Sequence, residues 1–258
     1  MSYRPLSLEG RVAVVVGGTT GIGRAMALGL AEAGADVIAS ARGAENLEAA
    51  AAEIEARGRR TLRIRSDVSD RASLEALRDA VLAGMGRIDI LINCAGRTQR
   101  TPTLEVSEAE WNGILETNLT GTLRGCQVFG RAMLEAGYGR IINIASLGSF
   151  VGLFEVAAYA ASKAGVASLT RQLAVEWGAR GVCVNAIMPG VFRTALNGAL
   201  LDGTARGQEF LQRTPMGRFG RLDELAGAAV FLASESASFV NGEVLVVDGG
   251  FLASGVNQ

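Results

Sequence analysis

Val12 to Val16 reads Val-Ala-Val-Val-Val, with no polar side chain to offer water on either face. A strand of that kind needs cover on both sides, which is the situation inside a parallel sheet flanked by helices. Six more short runs follow it: Asp36 to Ser40, Thr61 to Arg65, Ile88 to Ile92, Arg140 to Ala145, Val182 to Ile187 and Val244 to Val247. Amphipathic stretches separate them, among them Gly23 to Ala33, Asn46 to Arg57 and Ser73 to Leu82, with Gly34 and Gly58 placed as helix C-caps. The alternation predicts an α/β fold, a doubly wound parallel sheet of about seven strands with helices on both faces.

With 258 residues, 49% of them apolar and 20% charged, the chain can bury one large core. No linker or repeat divides it, so residues 1–258 are expected to form a single domain. The one long departure from the alternation is Val191 to Gly220, and a connection of that length in a compact domain is expected to be a lid. A net charge of −1 gives no field to attract nucleic acid or an anionic membrane. The chain has no histidine, which excludes Ser-His-Asp and Cys-His nucleophile machinery and every His-ligated metal site. Cys94, Cys126 and Cys183 have no metal-binding spacing and read as small core residues in a reducing compartment, so no metal is expected. The longest uncharged run, Ile141 to Phe154, is too short to span a bilayer. Met1 to Gly18, with Glu9 ahead of its apolar stretch, lacks the order of a signal peptide. A soluble cytoplasmic protein is the expectation.

The first run leads directly into Gly17-Gly18-Thr19-Thr20-Gly21-Ile22-Gly23 and then a helix opening Arg24-Ala25-Met26. Glycines there let the backbone turn tightly and approach a pyrophosphate, and the helix start offers free N–H groups and a positive dipole end. The spacing is G-x-x-x-G-x-G, and a glycine-rich turn of this kind can also be purely structural.

Among 25 basic residues only Lys163 is a lysine. Lysine is a compact point charge that can sit beside hydroxyls where a planar guanidinium does not fit. Tyr159 stands four residues before it, so on a helix the two share a face. A phenol titrates near pH 10 and becomes useful at neutral pH only when its surroundings favour the phenolate. An ordinary surface Tyr/Lys pair has the same spacing.

At this point the chain resembles the short-chain dehydrogenase/reductase family over nearly its whole length. The matching pieces are Gly17, Gly21 and Gly23, Asp67-Val68, Asn93-Cys94-Ala95-Gly96, Asn118, Ser146, Tyr159 with Lys163, and Pro189-Gly190 with Thr194. Val16 stands where the family usually has Thr, and Cys94 replaces the second Asn of its Asn-Asn-Ala-Gly. The resemblance implies a Rossmann-type catalytic domain that interconverts alcohols and carbonyls with a nicotinamide dinucleotide. Tyr159 would then be the general acid and base, and Ser146 would hydrogen-bond the reacting oxygen. Lys163 would hold the ribose hydroxyls and lower the Tyr159 pKa, and Asn118 would position a water that relays the proton. The cofactor contacts implied are Gly17, Thr19, Thr20, Gly21, Ile22, Gly23, Arg42, Asp67, Val68, Asn93, Ala95, Gly96, Tyr159, Lys163, Pro189, Gly190, Phe192 and Thr194.

NAD-specific members usually end the second strand with an acid. Here Ala41 takes that place and Arg42 follows, able to pair with a 2′-phosphate, so NADP is expected, with NAD as the alternative. Asn93-Cys94-Ala95-Gly96-Arg97-Thr98-Gln99-Arg100 and the tail from Arg213 to Gly250 look most like the gluconate 5-dehydrogenase-like sugar-acid and polyol dehydrogenases. Arg97, Arg100 or Arg193 could then meet a substrate carboxylate. A 3-oxoacyl-carrier-protein reductase is the runner-up, and a non-catalytic dinucleotide-binding protein is the alternative of another class. The resemblance also implies a homotetramer, with neither nucleic acid nor membrane as partner. The helices around Glu110 to Met133 and Ala157 to Trp177 and the uncharged tail Gly249 to Gln258 are compatible with an interface.

Overall fold

Successive residues of the first run face two different cores. Ala13 and Val15 pack with Met26, Leu30, Leu225 and Ala229 on one side, and Val12, Val14 and Val16 pack with Leu74, Leu77, Phe129 and Leu173 on the other. The computed structural model describes residues 4–194 and 197–255; Ala195 and Leu196 of the expected lid, and the ends of the chain at 1–3 and 256–258, lie outside the described residues. The strands are β1 (Val12–Val16), β2 (Asp36–Ser40), β3 (Ile90–Asn93), β4 (Gly139–Ile144), β5 (Val182–Pro189) and β6 (Val244–Val247). The helices are α1 (Gly21–Glu32), α2 (Ala44–Glu55), α3 (Arg71–Met85), α4 (Glu108–Leu115), α5 (Gly121–Ala136), α6 (Ala157–Trp177), α7 (Gly198–Leu201), α8 (Ala205–Arg213) and α9 (Glu224–Ala233).

The sheet runs β2-β1-β3-β4-β5-β6 with every pair parallel, and Val14 sits between Ile38 and Leu91 in its register. α1 and α9 cover one face; α3, α5 and α6 cover the other. β2 and β3 leave β1 on opposite sides, so the order reverses there, and a crevice opens at the carboxyl ends of β1 and β3.

Among the described residues the sheet has six strands, not about seven. Thr61 to Arg65, expected as a strand, makes no ladder. The segment is tied beside β2 only near its ends, by Val37 N–H to the Arg60 carbonyl at 3.1 Å and Ser66 N–H to the Ala41 carbonyl at 3.2 Å. Between those points the Ser40 hydroxyl donates to the Ile64 carbonyl at 2.6 Å, so a side chain takes a carbonyl that a ladder would have used. Leu62 and Ile64 still pack against the core, which is why the apolar alternation resembles a strand.

Candidate active site

The loop after β1 meets the end of β3 almost without clearance. Gly17 has φ +80°, and a Cβ there would lie 2.5 Å from the Ala95 amide nitrogen; a Cβ on Gly23 would collide with the Gly17 carbonyl. Side chains at these positions would push the two strand ends apart. Thr20 precedes α1 in an extended conformation and its hydroxyl caps nothing, so the first N–H groups of the helix keep no side-chain partner. An uncapped helix start behind a glycine turn fits the pyrophosphate of a dinucleotide, which bonds such N–H groups and meets the positive dipole end. Thr19 is buried in the same turn, and Thr194, from the loop after β5, lies 3.5 Å from where a Cβ on Gly21 would stand.

Four catalytic candidates come together beyond the end of β4. Ser146 follows that strand, accepts from Gly148 N–H at 3.2 Å, and bonds the Tyr159 phenol. Tyr159 and Lys163 occupy one face of α6, with Nζ 5.9 Å from the ring centroid. Lys163 is 4% exposed and donates to the Ile144 carbonyl at 2.7 Å. A Cβ on Gly96 would stand 3.4 Å from Asn118 Oδ1 and 3.7 Å from Lys163 Nζ, so the β3 end lies over both.

The electrostatics differ from the expected ones. Burial raises the Tyr159 pKa above its ordinary value, and the opposing pull comes from the Ser146 hydrogen bond, with no contribution from Lys163. Lys163 is itself brought down to about 8 by burial, and its ammonium is turned to the Ile144 carbonyl. Tyr159 is therefore held protonated, as a proton donor must be, and Lys163 is able to lose its proton near neutral pH. Cys94 lies beneath this group with its thiol pushed up to about 11 by burial, a packing residue without nucleophilic character.

Asn118 sits in a single π-helical turn, Glu116–Thr120, between α4 and α5, and is fully buried. Its Oδ1 accepts from Arg97 N–H at 2.8 Å, and its Nδ2 donates to the Arg97 carbonyl at 2.9 Å and to Ser162 Oγ at 3.0 Å. Ser162 in turn donates to the Tyr159 carbonyl at 2.7 Å. Both amide hydrogens are engaged and the main-chain carbonyl accepts from the Thr122 hydroxyl at 2.7 Å, so the residue fixes the β3 loop against α6. Ser162, fully buried, was not singled out in the sequence; as the small polar residue beside Lys163 it gave no signal of its own. Asn93 works in the same structural way, donating to Asn143 Oδ1 at 2.9 Å inside the core.

The remaining cofactor candidates line the same edge. Arg42 is exposed just beyond β2, close enough for its charge to help hold the Asp67 carboxyl low, after the larger effect of the Ser69 hydroxyl. Val68 packs against Gly121, where a Cβ would come within 2.9 Å of it. Pro189 ends β5, Gly190 N–H donates to the Val247 carbonyl at 2.8 Å, and buried Phe192 bridges to Gly220. Ile22, in the first turn of α1, is partly buried against the core. Of the arginines suggested for a substrate carboxylate, Arg193 is already paired with Asp202 and Arg100 with Glu155, while Arg97 Nη1 lies near Gly113 on α4.

A family model described as enoyl-(acyl carrier protein) reductase matches residues 16–252. The chain is 46% identical over 244 residues to D-threitol dehydrogenase of Mycolicibacterium smegmatis, covering 95% of this chain and 94% of that protein. It is 41% identical over 258 residues to gluconate 5-dehydrogenase of Gluconobacter oxydans, covering 98% and 100%. The crystal structure of a gluconate 5-dehydrogenase from Burkholderia cenocepacia, in complex with NADP and tartrate, superposes with TM-score 0.93 at 39% identity, covering 97% and 98% of the two chains. No helix among the described residues is long and apolar enough to cross a membrane. A glycine turn against an uncapped helix, a phenol held protonated beside a buried lysine, and relatives of this kind along the full length agree: the chain belongs to the short-chain dehydrogenase/reductase family and is an NAD(P)-dependent oxidoreductase acting on CH–OH groups.

Proposed function

We propose that the enzyme interconverts a secondary alcohol and a ketone on a sugar acid or polyol, preferring NADP, with Tyr159 as its acid and base. The observation that carries the reading is the cluster in which Ser146 bonds the Tyr159 phenol, Lys163 lies on the same helix face and Gly96 roofs Lys163 and Asn118. A nicotinamide bound along the strand ends would supply or accept the hydride. In reduction Tyr159 gives its phenol proton to the carbonyl oxygen while the Ser146 hydroxyl donates to that oxygen, and in oxidation the same atoms run in reverse. Lys163, ionising near pH 8, would return the proton and hold ribose hydroxyls. Asn118 keeps the roof in place through Arg97 and Ser162.

NADP preference rests on Arg42 following Ala41 at the end of β2, and is supported by the NADP in the Burkholderia relative. The substrate class is supported by the threitol and gluconate relatives and by the hydroxy acid tartrate held in that same structure. Residues 191–220 serve as the lid; its ends meet through Gly220 N–H and the Val191 carbonyl at 2.9 Å. A homotetramer is the proposed assembly, since Trp111 and Val175 stand exposed on α4 and α6, Val246 on the edge strand β6, and Phe239 in the segment leading to it. Three unpaired cysteines favour the cytoplasm.

The test is a matrix of NADP and NAD against aldonates, ketoaldonates, polyols and an acetoacetyl thioester. The reading expects turnover on the polyhydroxy compounds with a higher kcat/KM for NADP. Turnover confined to the thioester overturns the substrate class, and a strong NAD preference overturns the role of Arg42.

A further inference from the structure

The loop from Ser146 to Tyr159 holds the only non-glycine residue with positive φ among the described residues, Glu155 at φ 62°. An acidic side chain in the left-handed region is strained and persists where its surroundings fix it. Here the Glu155 carbonyl accepts from Thr101 N–H at 2.9 Å, and its carboxylate holds Arg100 Nε at 2.6 Å. Both ends of the residue are thus spent on the segment after β3.

Arg206, on α8 of the lid, reaches the same loop from the opposite side. Its Nη1 donates to the Phe154 carbonyl at 3.3 Å, and its guanidinium stands 5.4 Å from the Phe210 ring centroid. Phe210 packs against the buried cluster that contains Ala145 and Leu147, the two neighbours of Ser146. Arg100 lies 5.9 Å from the Phe154 ring. Two guanidiniums therefore bracket Phe154 with one carboxylate between them, and Arg100 already holds it. Among the described residues no carboxylate lies within 4.0 Å of Arg206. Partial burial and the Arg100 charge both disfavour its cation, against smaller support from Glu155 and Glu209. A partly desolvated guanidinium without a counter-ion is suited to a carboxylate from outside the chain. Arg193 is unsuited to that task because Asp202 holds it through both Nε and Nη2.

We propose that Arg206, with Arg100 fixed by Glu155, forms a carboxylate subsite at the lid, which makes a polyhydroxy monocarboxylate a better substrate than the neutral polyol of equal length. The inference rests on the proposed sugar-acid or polyol redox activity. It is tested on the whole enzyme with Arg206→Gln and Arg206→Lys, assayed with gluconate and with glucitol, thermal melting serving to check the fold. Arg206→Gln is expected to raise KM for gluconate about 10- to 100-fold, with a far smaller change for glucitol, and Arg206→Lys to recover part of the loss. An unchanged gluconate KM, or equal losses on both substrates, overturns the subsite. Wild-type turnover of glucitol without gluconate also overturns it while leaving the redox reading intact. Wild-type inactivity on both, in protein that still binds NADP, removes that reading and the subsite with it.

Discussion

Burying the only lysine of the chain has a cost that can be measured as a pH dependence of stability. Burial lowers the Lys163 pKa from 10.5 to about 8. Because the folded value is the lower one, the unfolded chain binds more protons between those limits, and stability rises with pH across that window. The penalty is fully present below about pH 8 and gone above the unfolded value. At about 1.4 kcal/mol for each pH unit between the two values, it comes to about 3 kcal/mol, most of it relieved by pH 10. Lys163→Met removes the titration while keeping a long side chain in the space. Urea unfolding of both proteins, followed by circular dichroism from about pH 7 to pH 10, isolates the effect, because every other titrating group cancels in the difference. Wild type is expected to gain about 2–3 kcal/mol on the variant over that range, and the variant to be inactive throughout. A difference that stays flat, or runs the other way, would refute the buried ammonium.

The glycine turn and the cofactor preference give two more tests. Gly23→Ala drives a Cβ into the Gly17 carbonyl of the same turn; overpacking of about 1–3 kcal/mol corresponds to a Tm lower by about 3–10 °C, read by calorimetry, with weaker dinucleotide binding. Arg42→Ala is expected to lower kcat/KM for NADP about 10- to 100-fold and to leave NAD far less affected, and a matching loss with both would show that Arg42 does not read the 2′-phosphate.

The layered sheet was legible because apolar runs covered on both faces have few other uses, and the glycine turn because close backbone approach excludes side chains. What escaped the sequence depends on contacts made at a distance. Thr61 to Arg65 has the right alternation, but Ser40 claims a carbonyl that a ladder would need. The π turn around Asn118 adds one residue to an otherwise regular helical pattern, and nothing local announces it. The Tyr159 and Lys163 spacing was visible, whereas the direction of the lysine was not, since it is set by the Ile144 carbonyl at the end of β4. Arg206 went unnoticed among the chain's many arginines because its distinction is a missing partner, and pairing is decided by the fold.

The central claim is that the Tyr159 oxygen carries the proton beside the nicotinamide. Tyr159→Phe removes that oxygen alone, and pre-steady-state kinetics with a competent substrate, together with fluorescence titration of NADPH, read its consequence directly. The account predicts a fall in turnover of at least about 100-fold with dinucleotide affinity nearly unchanged. A variant that retained a substantial part of the wild-type rate while binding NADPH equally well would contradict it.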